Sequence, residues 1–168
     1  MVVYEELALT RTKVTTEMKN VIVADIDGCC IHSEERLPFL LSGDLDGYHK
    51  NHPLDEPIPQ GVVVYKKFLS DPDYRFYFVT GRSEAGREYT LKQLREWISP
   101  TITSAQLLMR PDNLTPAHMH DTILKPYLLE LENISLPQIF LVFEDRNSMV
   151  SMWRSLGLVC YQPAFGDY

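Results

Sequence analysis

The 168 residues have the length of one ordinary domain, enough to bury roughly 70% of the unfolded chain's surface in a single core. Hydrophobic residues at 45% and charged residues at 23% exclude disorder, collagen and coiled coil. Sixteen Lys and Arg against 23 Asp and Glu give a net charge of −7, which excludes a broad basic footprint for nucleic acid. Any contact with a strand must then come from a few local Arg and Lys.

Met1 to Lys19 are mixed and polar, an N-terminal extension that reads equally as a leading strand or an arm. Val21-Ile22-Val23-Ala24 is an unbroken apolar run, the pattern of a strand buried on both faces. A helix is expected over Gly61–Leu69, with Val62, Val63 and Tyr65 apolar, stopped by Ser70 and Pro72. Arg75–Val79 reads as a second buried strand. Glu84–Ser99 is an amphipathic helix whose inner stripe is Tyr89, Leu91, Leu94, Trp97 and Ile98. Glu88 and Lys92 support its wet face at i and i+4. Ala105–Met109 is a third strand, and Thr122–Glu132 is helical, with Pro126 a place where the helix restarts. Ile139–Phe143, helix Arg146–Ser155 ended by Gly157, and strand Leu158–Tyr161 complete the series. Strand–helix alternation of this kind predicts an α/β fold with a Rossmann-like parallel sheet of about five strands and helices on both faces. There is no repeat or composition shift, so a single domain over residues 1–168 is expected.

One segment breaks the rhythm. His32–Gln60 carries Pro38, Gly43, Gly47, Pro53, Pro57 and Pro59 among acids and aromatics, and an excursion this long after the first strand is expected to be a lid insertion.

Three buried strands run into polar chemistry: the first into Asp25-Ile26-Asp27-Gly28, the second into Thr80-Gly81-Arg82, the fourth into Glu144-Asp145-Arg146. In open α/β sheets, ligands bind in the crevice outside the carboxyl ends of the strands. Carboxylates gathered there repel one another, and a hard cation with oxygen ligands such as Mg²⁺ relieves the repulsion. A bound Mg²⁺ attracts phosphate, and a carboxylate can attack phosphorus to give an aspartyl phosphate. A second carboxylate two residues on can protonate the leaving oxygen and later activate water. Thr80 and the amides around Gly81 suit a phosphate oxygen, and a nearby lysine would hold its remaining charge.

At these positions the chain resembles the haloacid dehalogenase superfamily of aspartate-nucleophile phosphatases. The first signature matches Asp25-Ile26-Asp27-Gly28, with Cys29 where Thr or Val is usual; the second matches Thr80, the third Lys125, the fourth Glu144-Asp145. The resemblance implies that Asp25 is nucleophile and metal ligand, and that Asp27 is general acid/base with its backbone carbonyl on the metal. It further implies that Asp145, with Glu144, completes the ligands of a Mg²⁺ cofactor, while Thr80 and Lys125 hold the phosphoryl group. The tail Glu144-Asp145-Arg146, Met152-Trp153-Arg154, Gly157, Cys160, Gln162 and Gly166-Asp167-Tyr168 is similar to the end of the bacteriophage polynucleotide kinase-phosphatase family. That family's phosphatase domain has an arginine about eleven residues after its nucleophile, matched by Arg36, and one two residues after its second-motif hydroxyl, matched by Arg82. The resemblance implies that Arg36, Arg82 and Gly81 bind substrate. The chain departs from the family in His32–Gln60 and in Glu144, where Asp is more usual.

No Gly-x-x-x-x-Gly-Lys-[Ser/Thr] occurs in these residues, so phosphate removal is expected rather than transfer from a nucleotide donor. The first reading is a polynucleotide 3′-phosphatase acting on DNA or RNA ends in end repair; the alternative is a phosphatase of small phosphomonoesters such as nucleoside monophosphates. A receiver-type phosphoacceptor and a degenerate binding protein are the non-catalytic readings. Receivers place the acidic pair on the first strand and the acceptor on the third, unlike Asp25-x-Asp27. No apolar run approaches the ~20 residues of a membrane span, and the expected location is cytoplasmic, the host cytoplasm if phage-encoded. A homo-oligomer is left open. Cys29, Cys30 and Cys160 are expected as reduced, buried thiols. His118 and His120 read as a loop or helix start, His49 and His52 as a solvated loop, Trp97 and Trp153 as core, and Arg110 as a substrate contact or a surface charge.

Overall fold

A computed structural model describes residues 18–113 and 120–167. Most of the N-terminal extension, His118, Tyr168 and the side chain of His49 lie outside the described residues.

Four apolar residues in a row fit a strand only where both faces are covered, and β1 (Val21–Ala24) is buried throughout. Ile22 and Ala24 face one layer, Val21 and Val23 the other. Around it β4 (Arg75–Ser83), β5 (Leu107–Arg110), β6 (Ile139–Phe143) and β7 (Cys160–Tyr161) make one parallel sheet in the order β5-β4-β1-β6-β7. Helices α3 (Pro59–Leu69) and α4 (Arg87–Trp97) cover the face of Ile22, packing Tyr65, Leu91 and Leu94 onto Phe76 and Phe78. Helices α5 (Asp121–Leu131) and α6 (Asn147–Ser155) cover the other with Leu124, Leu128, Met149 and Trp153. Each fully buried aliphatic or aromatic side chain contributes ~1.5–3 kcal/mol, so the two layers hold β1 from both sides.

The expected α/β fold is the observed one, and its topology locates the site. The chain runs outward from β1 to β4 and β5, then returns to β6 on the opposite side of β1. This reversal is a topological switch point, where a crevice opens at the strands' carboxyl ends. The register places Ala24 opposite both Phe78 and Phe143, so Asp25, Thr80 and Glu144 emerge at one edge.

Several boundaries differ from expectation. Strand β4 runs to Ser83 rather than Val79 because Ser83 pairs with Arg110 of β5. Residues Ser104–Gln106 form a capped 3-10 turn before β5 instead of its first residues. Helix α5 is continuous through Pro126, since a proline removes one hydrogen bond while the inner row Leu124, Leu128 and Leu129 stays packed. Tyr89, expected on the inner stripe of α4, is 57% exposed, and the polar Thr90 and Gln93 take the buried face. Trp153 is fully buried and Trp97 partly so. All three cysteines are free and buried. No helix among the described residues is long and apolar enough to cross a membrane.

The insertion leaves after β1 through an antiparallel pair, β2 (Ile31–His32) with β3 (Glu56–Pro57), and carries the short helices α1 (Leu37–Leu41) and α2 (Leu45–Lys50). Its polar residues Arg36, His52 and Asp55 turn inward and are buried. The reading of His52 as a solvated-loop residue is therefore corrected, because its ring is packed beside Asp55 and the Tyr89 ring.

Helix α3 starts against the loop after β1. A Cβ on Gly61 would stand 1.9 Å from the Cys29 carbonyl oxygen, so only glycine permits this approach. Gly61→Ala should destabilise the protein by about 2 kcal/mol or more, through overpacking against backbone. A thermal melt should show a clearly lowered midpoint; an unchanged midpoint would contradict the close packing.

Candidate active site

Strand β1 delivers two carboxylates into different surroundings. Asp25 sits where its backbone N–H still bonds to Phe143 O (2.9 Å) and its carbonyl accepts from the Tyr65 hydroxyl (2.7 Å). Its side chain lies 3.0 Å from Lys125 Nζ, which also donates to Glu144 Oε2 at 2.7 Å. Burial, and then the charge of Glu144, push the Asp25 carboxyl well above the usual carboxylate range, while Lys125 opposes them. Burial disfavours the Lys125 ammonium, but Asp25 and Glu144 outweigh it and raise the lysine pKa, keeping it charged.

Oxygen atoms of Asp25, Glu144 and Asp145 all lie within 4.8 Å of one another. Glu144 Oε1 is buried with no hydrogen-bond partner. Lys125 is shared by two of the three carboxylates, and the donors are all hard oxygens. The donor set thus fits a hard divalent cation such as Mg²⁺. The Asp27 carboxylate is not in this cluster.

Asp27 is held by guanidinium instead. Arg82 grips it with both forks, Nε to Oδ2 at 2.9 Å and Nη2 to Oδ1 at 2.6 Å, and Arg36 Nη2 stands 3.5 Å from Oδ1. Burial would raise this carboxyl, but Arg82 and then Arg36 hold it well below the usual range, so Asp27 is a carboxylate here. The Arg82 donors are fully used: its other N–H groups go to Thr90 Oγ1 (3.3 Å), Gln93 Oε1 (2.9 Å) and Asp55 Oδ2 (3.0 Å). That is why α4 buries Thr90 and Gln93 in place of Tyr89. Arg36 is fully buried, bonded to Asp55 and lying over the Tyr48 ring at 4.4 Å. Both guanidiniums, expected on substrate, are engaged by carboxylates inside the protein, and Arg82 also lines the crevice.

Thr80 is buried at the crevice, its hydroxyl accepting from the Arg82 backbone N–H at 3.1 Å. Gly81 is a close-approach position, since a Cβ there would meet an Asp121 carboxylate oxygen at 2.7 Å. Asp121 takes Arg110 on one oxygen and Arg146 on the other, and Arg110 also donates to Gly81 O at 3.0 Å. Arg110 is thereby placed at the site. The tail closes behind Asp145: Gln162 Nε2 donates to Asp145 O at 2.7 Å, and Gly166 pairs with Arg146.

Asp25, Asp27, Thr80, Arg82, Asp121 and Asp145 line a crevice of about 540 Å³ together with Leu37, Leu40 and Tyr48 of the insertion. Sequence reasoning found Asp25, Asp27, Thr80, Lys125, Glu144 and Asp145, which the structure gathers at one edge of the sheet. It missed Asp55, His52, Tyr65, Thr90, Gln93 and Asp121. The one available signal was Thr90 and Gln93, two polar residues at helical spacing on a stripe otherwise apolar.

With Lys125→Ala, Asp25 and Glu144 would face each other buried and unpaired, at a cost of about 3 kcal/mol in EDTA near neutral pH. A carboxyl whose folded pKa exceeds its unfolded value binds protons better in the folded state. The deficit should therefore shrink as the pH falls from about 8 to about 5. Denaturant titrations across that range check it; a pH-independent deficit would contradict the charge balance.

A family model for the phosphatase domain of polynucleotide kinase PNKP matches residues 19–168. A chain in the structure of a Pnkp1/Rnl/Hen1 complex aligns over 98% of this chain and 52% of its own length, at 28% identity and TM-score 0.68. A chain in a Pnkp1/Rnl/Hen1 RNA repair complex aligns similarly, at 28% identity and TM-score 0.69 over 48% of its length. The present chain thus spans about half the length of these two. A haloacid dehalogenase-like hydrolase from Streptococcus pneumoniae shares the fold at 13% identity and TM-score 0.62, over 90% of this chain and 88% of its own.

Proposed function

The chain belongs to the family of PNKP phosphatase domains, phosphoric monoester hydrolases of haloacid dehalogenase type, and from that membership we propose that it removes 3′-phosphates from polynucleotide ends. The observation that carries the chemistry is the division of charge at the end of β1. Asp25 is paired with Lys125, and Asp27, two residues on, is paired with Arg82.

In the proposed reaction Asp25 attacks phosphorus in line, and the P–O bond to the 3′ carbon's oxygen breaks. Lys125 and the Thr80 hydroxyl hold the phosphoryl oxygens as charge develops on them. Mg²⁺, held by Asp25, Glu144 and Asp145, would neutralise phosphate charge when bound. Asp27 handles the proton. A dianionic phosphate arriving beside Arg82 weakens the arginine's hold on Asp27 and raises its proton affinity, so that Asp27 takes up a proton from solvent and then gives it to the leaving alkoxide, returning to the carboxylate. In the second step Asp27 takes a proton from the water that hydrolyses the Asp25 phosphoryl ester. Leu37, Leu40 and Tyr48 offer an apolar wall for the terminal nucleoside. The Pnkp1/Rnl/Hen1 RNA repair assembly, which holds a similar chain, supports nucleic-acid ends as the substrate class.

Phosphate release should be fastest from 3′-phosphorylated oligonucleotides, require Mg²⁺ and vanish in EDTA and in Asp25→Asn. Faster release from free 5′-mononucleotides would move the substrate class to small phosphomonoesters; near-native turnover by Asp25→Asn would remove the nucleophile. Asp27→Asn should lose about 10²-fold or more on 3′-phosphorylated ends, whose alkoxide needs a proton. It should lose far less on p-nitrophenyl phosphate. Equal losses on the two substrates would remove Asp27 from the acid role.

A further inference from the structure

Asp145 stands beyond the sheet that leads to it. Strand β6 ends at Phe143, and the Glu144 N–H on Tyr161 O, at 3.1 Å, is the last bond joining this stretch to β7. Helix α6 begins only at Asn147. Asp145 lies between the two elements, and the segment that follows β7 folds back onto it.

Gln162 Nε2 donates to Asp145 O at 2.7 Å and to Asn147 Oδ1 at 2.8 Å. The Gly166 N–H donates to the same Asp145 carbonyl at 3.2 Å, and the Asn147 N–H donates to Gly166 O at 2.7 Å. Both lone pairs of the Asp145 carbonyl are therefore taken by this one segment. Gly166 is buried, and a Cβ on it would stand 3.0 Å from Asp145 Oδ2, 3.1 Å from Asp145 O and 3.2 Å from Arg146 Cα. The glycine thus packs directly on a carboxylate of the metal cluster. We propose that Gln162 and Gly166 are positioning residues for the divalent cation, fixing Asp145 as its ligand. The proposal rests on the reading of Asp25, Glu144 and Asp145 as a Mg²⁺ site.

The physical reason is the geometry that the ion demands. Mg²⁺ takes near-ideal octahedral ligands at about 2.0–2.1 Å, so a carboxylate displaced by a few tenths of an ångström holds it poorly. Aspartate has a short side chain, and its oxygens go where its backbone goes. By gripping the Asp145 carbonyl and crowding Oδ2, the segment leaves the carboxylate little room to swing. Gly166→Ala sets a methyl group against that oxygen and the carbonyl beside it, and one of them must give way. Gln162→Leu keeps a side chain of similar size but removes both N–H donors. Neither Gln162 nor Gly166 lines the crevice, so the contacts expected for phosphate and nucleoside are left in place.

The test titrates Mg²⁺ alone against wild type, Gly166→Ala, Gln162→Leu and Asp145→Asn. The dissociation constant is read from calorimetry and from the rise of the thermal midpoint along the Mg²⁺ series, with the midpoint in EDTA as the measure of folding. Both Gly166→Ala and Gln162→Leu should bind Mg²⁺ on the order of tenfold more weakly than wild type, as expected when a group that orients a metal ligand is lost. Their kcat on a 3′-phosphorylated oligonucleotide should recover at saturating Mg²⁺. If Gly166→Ala does not fold, Gln162→Leu, which introduces no clash, is judged by the same constant. A folded variant of either kind that binds Mg²⁺ as tightly as wild type, whatever its midpoint in EDTA, would overturn the proposal and leave the segment a purely structural closure. Mg²⁺ binding that survives unchanged in Asp145→Asn would instead overturn Asp145 as a ligand, and this proposal with it.

Discussion

Gathering carboxylates inside a protein is costly unless each meets a counter-charge, and this fold gathers five of them around the end of one strand. Asp25 and Glu144 share Lys125 with Asp145 beside them, and Asp27 and Asp55 share Arg36 and Arg82. The two groups differ in kind. The arginine-bound pair is neutral as it stands, whereas Asp25, Glu144 and Asp145 converge hard oxygen donors that suit a hard cation. Two aspartates separated by one residue are thereby given opposite characters: the Asp25 carboxyl is pushed up and Asp27 is held down. The sheet makes this division feasible, because β1 is central and its neighbours β4 and β6 deliver Thr80 and Glu144 at the level of Asp25.

The insertion is as much a part of this electrostatics as the sheet is. It contributes Arg36 and Asp55 to the ion pairs and hydrogen bonds around Asp27 and Arg82, and its own neck is tied down by the β2–β3 pair and by the Ile58 N–H on Cys30 O. Helix α4 answers it from the other side with Thr90 and Gln93. Gln93 bridges Arg82, Asp55 and the His52 carbonyl, so the insertion and the sheet meet through hydrogen bonds among buried polar groups. Such a network tolerates little change, since a single lost partner strands a buried donor or charge. Leu37, Leu40 and Tyr48 of the insertion line the same crevice as Asp27.

Much of this was legible in the residues. Val21–Ala24 and Ile139–Phe143 announce buried strands by their unbroken apolar character, and acids directly after such strands point to a crevice at the sheet edge. Asp25, Asp27, Thr80, Lys125 and Glu144-Asp145 could be named because their motifs are local, each within a few residues of a strand or helix start. Asp55 and His52 could not, because their burial is decided by where a proline-rich excursion folds back, and no periodicity encodes that. Arg36 and Arg82 were named from the family resemblance, which does not say what a guanidinium touches; their engagement by Asp27 and Asp55 is a tertiary fact. Tyr89 was misplaced because hydrophobicity alone orients a helix only when the site it covers is apolar, and here Arg82 had to be satisfied.

The covalent role of Asp25 is tested most directly by the stereochemical course at phosphorus, using a phosphorus-chiral 3′-phosphorylated oligonucleotide hydrolysed in isotopically labelled water. Two successive in-line displacements, first by Asp25 and then by water, give overall retention of configuration. Inversion would mean that water attacks phosphorus directly and that Asp25 is never phosphorylated.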